Sequence, residues 1–390
     1  MNGRERIAAQ MKLGTSDRTP VMCQLSIGHY FLYSGIDPVE IWFESEAFAE
    51  ALVALADRYS FDGVLINLPG RSDIYKKNVR EVKRSSDEIK VFWKNGHYTL
   101  LPVDDNPHYY TAQGERVFPV FEDIDPDRLY YVEPWDITEV KYPFYWGFDE
   151  HRDKSDFFPD YHFDTIRKVK TLAGHRLSVH SEVFSPWSQF LELLNYENAL
   201  MAIMDDPVKV KDILERLTDG TIDLAKKHEA EGVDAILISS AFAGAGLISR
   251  EQYSEFVLPY EKRIINELKK SRGLPIYTHT CGSIGDRLDL MIESGTNGID
   301  TLDPPPLGTV DLAEAKQFLS GKAFIKGNID PVNTLLYGSK DEIIADVSAR
   351  IQTGKPGGGY ILSSACSVAP HTPPENITLL AELAEQHGKY

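Results

Sequence analysis

The chain is 390 residues long, 42% hydrophobic and 26% charged, a globular composition with ample apolar material for a core. A formal net charge of -18 excludes a basic nucleic-acid-binding surface, and no stretch is long and apolar enough to span a bilayer. Three cysteines, Cys23, Cys281 and Cys366, are an odd, sparse set that makes a poor disulfide framework and points to a reducing, cytoplasmic setting.

The N-terminus, Met1-Asn2-Gly3-Arg4-Glu5-Arg6, leads into a charged amphipathic helix and has no apolar signal core. Apolar runs of strand character then recur at 20–25, 63–67, 177–182, 235–239, 275–279, 298–302, 322–326 and 360–363. Helical patterns separate most of them. Eight such runs predict an α/β fold of the (β/α)8 TIM-barrel type, one domain over 1–390. Asp37-Pro38-Val39-Glu40, Ser249-Arg250-Glu251-Gln252 and Thr372-Pro373-Pro374-Glu375 read as capping-box helix starts.

The repeat is interrupted at 69–164, after the second run. That stretch is too long for a strand-to-helix loop. It is dense in aromatics: Tyr109, Tyr110, Trp135, Tyr142, Phe144, Tyr145, Trp146, Phe148, Phe157 and Phe158. The expectation is an inserted hairpin subdomain whose aromatics mostly pack on the barrel, with a few forming a lid over its mouth.

The strongest chemical signal is Tyr277-Thr278-His279-Thr280-Cys281-Gly282, at the end of the fifth run. On extended chain, residues i and i+2 point the same way, so His279 and Cys281 can face one point. Cys366 follows the eighth run, and in a barrel the ends of strands five and eight open on one face. An imidazole and two thiolates suit zinc, and three protein ligands leave the fourth position open, as in catalytic sites. The bland alternative is a pair of buried cysteines acting as small hydrophobes, which is the reading given to Cys23.

Other residues at run ends are candidates for holding substrate. His29, beside Gly28 and Tyr30, either faces the pocket or sits in a surface loop. His180 and Glu182, spaced i and i+2, either approach the site or form a strand-end hydrogen-bond network. Asn67, Asp303 and Asn328 occupy the ends of the second, sixth and seventh runs. Asn328 and Asp330 equally suit turn formation and helix capping. Gly357-Gly358-Gly359 precedes a strand rather than a helix, and so reads as a tight turn, not a phosphate cradle.

From about Val179 onward the sequence resembles the uroporphyrinogen decarboxylase superfamily. The motifs are Leu258-Pro259-Tyr260, the 278–282 segment, Gly327-Asn328-Ile329-Asp330-Pro331, and Gly358-Gly359-Tyr360-Ile361-Leu362 through Thr372-Pro373-Pro374-Glu375-Asn376. The resemblance implies a (β/α)8 barrel. The superfamily's decarboxylases use no metal; they carry an arginine-rich segment after the first strand and an aspartate after the second. Here those places read Cys23-Gln24-Leu25-Ser26-Ile27-Gly28-His29 and Leu65-Ile66-Asn67-Leu68-Pro69, without them.

The other branch comprises zinc-containing, corrinoid-dependent methyltransferases, including methylcobamide:coenzyme M methyltransferases. Their metal motif is His-x-Cys followed by a distant Cys, which His279, Cys281 and Cys366 match. The resemblance therefore implies zinc, a small-molecule methyl donor or thiol acceptor, and a methylcobamide-type corrinoid. No Asp-x-His-x-x-Gly segment is present, so the corrinoid is expected on a partner protein. The alternative is a metal-free, decarboxylase-like lyase.

Overall fold

Short runs of aliphatic residues that are buried on both faces need partners on both edges, and a parallel sheet covered by helices supplies them. The computed structural model describes residues 1–134 and 154–390. After β1 (Gly63–Ile66) come β2 (Val79–Arg84), β3 (Glu88–Trp93), β4 (Tyr98–Pro102) and β5 (His108–Tyr110), which form a separate antiparallel sheet. The parallel sheet resumes with β6 (Ser178–Phe184), β7 (Ala235–Ser239), β8 (Ile276–His279), β9 (Gly298–Thr301), β10 (Phe324–Ile329) and β11 (Tyr360–Ser364). Its seven strands lie in the order β1-β6-β7-β8-β9-β10-β11. Spatial order therefore follows chain order, with helices crossing between successive members from β6 onward, and the sheet curls in a TIM-barrel-like way.

The first expected strand, 20–25, is only partly regular. Val21 and Leu25 make isolated parallel bridges to Leu362 and Val368. On the other side a single backbone bond, from Asp62 N to the Val21 carbonyl at 2.8 Å, joins the segment to the residue before β1. The physical reason is local: Pro20 has no N–H, and the Val21 N–H is taken by the Asp62 carboxylate at 2.8 Å. The seventh expected run, 322–326, is displaced as well. Lys322 and Ala323 still donate to the Leu319 carbonyl at the end of the preceding helix, so β10 starts at Phe324 and continues to Ile329.

Inside the curl lies a small apolar cluster of Met22, Leu65, Leu237, Tyr277, Phe324 and Ile361, which Ile7 and Met11 of the first helix (Gly3–Met11) close from below. Side chains alternate along a strand. The residues two positions beyond this apolar layer, His279 after Tyr277 and Lys326 after Phe324, therefore point into the same interior one layer higher. Asp300 stands in register with both.

The inserted sheet docks through Trp93, which meets Phe43 edge-on with ring centroids 5.3 Å apart. Of the aromatics singled out above, Tyr109 is buried, Tyr110 stacks on Tyr98 at 5.2 Å, and Phe157 and Phe158 pack edge-on against Tyr130 and Tyr131. Trp135, Tyr142, Phe144, Tyr145, Trp146 and Phe148 lie outside the described residues.

Ser249 and Gln252 form the expected capping box, and Asp37 caps by accepting from Val39 N. Thr372 does not cap: the last helix starts at Pro374 with Pro373 before it, and the buried Thr372 hydroxyl has no hydrogen-bond partner. The triple glycine is a tight turn, with φ of 76°, 75° and 68°. Among the described residues no helix is long and apolar enough to cross a membrane.

Asp62, 2% exposed, fastens the irregular first segment by accepting from Arg18 Nη1 at 2.7 Å and Arg6 Nη1 at 3.0 Å as well as from Val21 N. Removing it leaves the largely buried Arg18 without that partner. Asp62→Ala is expected to lower unfolding free energy by about 3–5 kcal/mol in chemical denaturation. Unchanged stability would show that this carboxylate does not hold the segment in place.

Candidate metal centre

His279 is the last residue of β8, Cys281 lies two residues further on, and Cys366 follows the end of β11. Their ligand atoms lie within 4.8 Å of one another. His279 Nε2 is 3.2 Å from Cys281 Sγ, which is 3.6 Å from Cys366 Sγ. Cys23 is elsewhere: it is buried in the main core and accepts from Ser364 N at 3.4 Å.

The other ring nitrogen of His279 is fixed. Nδ1 lies 3.0 Å from Asp300 Oδ2, and Asp300 Oδ1 accepts from Lys326 Nζ at 2.9 Å. Neighbouring strands supply the three, His279 opposite Asp300 and Asp300 opposite Lys326. A hydrogen bond from Nδ1–H to a carboxylate fixes the ring's orientation and turns Nε2 toward the two sulfurs.

Burial alone would lower the His279 pKa, but Asp300 and the Cys366 sulfur outweigh it and push it up to about 10. The contact between the two sulfurs, with burial, raises the Cys281 thiol well above its ordinary value, and the same contact together with His279 holds Cys366 well below its own. The imidazole and the two sulfurs therefore compete for the same protons. Such an array favours a cation that can replace those protons.

Two expected site residues, Asp303 and Glu182, adjoin this cluster. Asp303 Oδ2 accepts from Gly282 N at 2.6 Å, holding the loop that carries Cys281; burial pushes its carboxyl up to about 6. Glu182 is half-buried in the same interior, with its Oε2 shielded from solvent and without a hydrogen-bond partner. Burial raises it to about 7, with His279 opposing the rise. Asn67 and Glu182 line a small cavity with His162 and His228.

Three others are committed elsewhere. His180 is fully buried, with Nε2 3.0 Å from Ser178 Oγ and Nδ1 2.9 Å from Tyr277 Oη, and burial lowers its pKa to about 3. That is the network reading, one layer below the cluster. His29 is not in a surface loop: it is buried in the helix Ile27–Tyr33, with Nδ1 3.0 Å from the Pro370 carbonyl and Nε2 2.8 Å from Tyr59 Oη. Asn328 donates to the Leu302 carbonyl at 2.9 Å and accepts from Arg350 at 2.6 Å, which ties β10 to the helix Lys340–Gly354. Asp330 caps the next turn through Val332 N and Asn333 N.

Sequence reasoning missed Asp300 and Lys326. Both sit within expected strands, but only strand register shows that they adjoin His279.

A family model described as uroporphyrinogen decarboxylase (URO-D) matches residues 147–387. The chain belongs to the uroporphyrinogen decarboxylase family. Among relatives in this family, the methylcobamide:CoM methyltransferase MtbA of Methanosarcina acetivorans is 31% identical over 226 residues, 57% of this chain and 62% of that protein. A uroporphyrinogen decarboxylase of Nostoc sp. is 32% identical over 230 residues, 57% of this chain and 62% of that protein. The chain spans less than two thirds of the length of these curated relatives. A solved methyltransferase from Methanosarcina mazei superposes with a TM-score of 0.71 over 99% of both chains; at 16% identity that likeness is one of fold.

Replacing the Asp300 carboxylate keeps the shape but removes the charge that fixes Nδ1–H. Affinity for added Zn2+, measured by competition with a chromophoric chelator, is expected to fall about 10- to 100-fold in Asp300→Asn. Unchanged affinity with native circular dichroism would contradict the orienting role.

Proposed function

We propose that this family member is a cytoplasmic, zinc-dependent methyltransferase on a closed (β/α)8 barrel, completed by the 20–25 segment. It moves a methyl group between a small oxygen, sulfur or nitrogen compound and a corrinoid carried by a partner protein. The observation that carries the reading is the convergence of His279 Nε2, Cys281 Sγ and Cys366 Sγ within 4.8 Å.

The donor set fits the ion. Tetrahedral zinc with Zn–S distances of about 2.3 Å places two sulfurs about 3.8 Å apart. Here they are 3.6 Å apart without it. Two thiolates and a neutral imidazole also balance the ion's charge.

Zinc held there would supply Lewis acidity, keeping a thiol acceptor, whose free pKa is about 8.5, as its thiolate, or weakening the bond between a donor heteroatom and its methyl. The protein's own groups prepare the site. Asp300 accepts the Nδ1–H hydrogen bond and so leaves Nε2 as the ligating nitrogen. Asp303 fixes the Gly282 amide and with it the position of Cys281. Glu182, pushed up to about 7 with an unpartnered Oε2, can hold or release a proton at that atom beside the substrate heteroatom. Asn67 lines the small cavity beside Glu182. The apolar layer beneath keeps water from the interior. The inserted 69–164 segment would cover the mouth, and the methyl donor or thiol acceptor would enter beside it.

Support for methyl transfer comes from the likeness to MtbA together with the match of all three ligand types. The metal-free decarboxylase reading draws on the names of other relatives, but the segment 23–29 carries no arginine.

The purified protein is expected to hold about one zinc per chain. Cys281→Ser and Cys366→Ser are expected to lose the metal together with thiol-dependent demethylation of methylcobalamin, followed by absorbance, while still melting cooperatively. A variant that retains both metal and transfer would overturn this assignment.

A further inference from the structure

The loop after β7 is fastened to the loop that bears the candidate ligands. Ser240 N donates to the His279 carbonyl and Ala245 N to the Ser283 carbonyl, each at 2.8 Å. A Cβ at Gly244 would lie 2.5 Å from the Cys281 carbonyl oxygen, so only glycine permits this approach.

On this fastened loop stands Phe242, with φ of 64°, a left-handed conformation that bulky residues rarely adopt. Backbone strain of this kind is typically retained at functional sites. The Phe242 ring is 42% exposed and meets Tyr196, itself 40% exposed, edge to face at 4.9 Å. Tyr196 opens the helix Tyr196–Asp205, in the connection that leaves the neighbouring strand β6.

The two rings line a cleft of about 430 Å³ that is also bounded by Phe184, Leu191 and part of the inserted segment. Phe184 is two residues from Glu182 on β6, on the same face, so the floor of the cleft continues into the interior that holds the cluster. The volume suits a single small organic molecule. A corrinoid is far larger than the cleft, and a methanol or methylamine donor would leave both rings unused.

We infer that Tyr196 and Phe242, packed against each other, form an aromatic wall of this cleft against which the ring of an aryl methyl ether binds, placing its methyl-bearing oxygen toward the cluster. This specificity rests on the methyl-transfer reading for its purpose, but the binding site stands on its own geometry. Offset and edge-to-face contacts would recognise a planar ring and discriminate against a saturated one.

The test is calorimetric titration of the zinc-loaded protein, without corrinoid, using para-methoxybenzoate and its saturated analogue, para-methoxycyclohexanecarboxylate. The aromatic compound is expected to bind about tenfold more tightly. Phe242→Ala and Tyr196→Leu should each weaken it by about tenfold, and Tyr196→Phe should bind as the parent does, with zinc content unchanged in all three. Absent binding, equal affinity for the two compounds, or variants that bind as the parent does would overturn the inference. Ring-dependent binding in a protein that lacks zinc and methyl transfer would uphold the aromatic wall and remove the methyltransferase reading. Methylcobalamin demethylation without ring-dependent binding would do the reverse.

Discussion

The carboxylate of Asp300 accepts from Lys326 at 2.9 Å and holds His279 Nδ1 at 3.0 Å, at a depth where Asp300 is 2% and Lys326 1% exposed. Charges buried this far are costly unless matched and hydrogen-bonded. The parallel register supplies the match by bringing three residues from adjacent strands into one row. Everything proposed for the centre depends on that row, because it decides which imidazole nitrogen faces the sulfurs. The apolar layer below gives it a dry floor, and Asp303 anchors the neighbouring loop from the side.

The fold was legible because its signal is repetitive. Aliphatic runs alternating with helical patterns give a parallel sheet whatever the details, and all seven strands of that sheet overlap expected runs. The failures lie where local chemistry competes with the repeat. Pro20 and the side chain of Asp62 disrupt the first run, and two residues still bonded to the preceding helix delay β10. Paired prolines move the last helix start past Thr372.

The candidate site was legible to the extent that it is local. The i, i+2 spacing of His279 and Cys281 is visible in six residues, and Cys366 follows from its place after another strand. Asp300 and Lys326 were not, since their relation to His279 exists only across strands. His29, His180 and Asn328 show the opposite problem. Each ends or follows a predicted run, but a side chain at the mouth can satisfy neighbouring backbone and hydroxyl groups as readily as it can face a substrate. In all three, hydrogen bonds within the fold take up the polar atoms.

The central claim concerns one ion and three ligands, and anomalous scattering from crystals of the purified protein, recorded on both sides of the zinc absorption edge, tests it most directly. The account predicts a single anomalous peak bonded to His279 Nε2, Cys281 Sγ and Cys366 Sγ, with sulfur distances of about 2.3 Å and a fourth position open to a non-protein ligand. No peak at the cluster after growth with added zinc, or the two sulfurs joined to each other in its place, would contradict it.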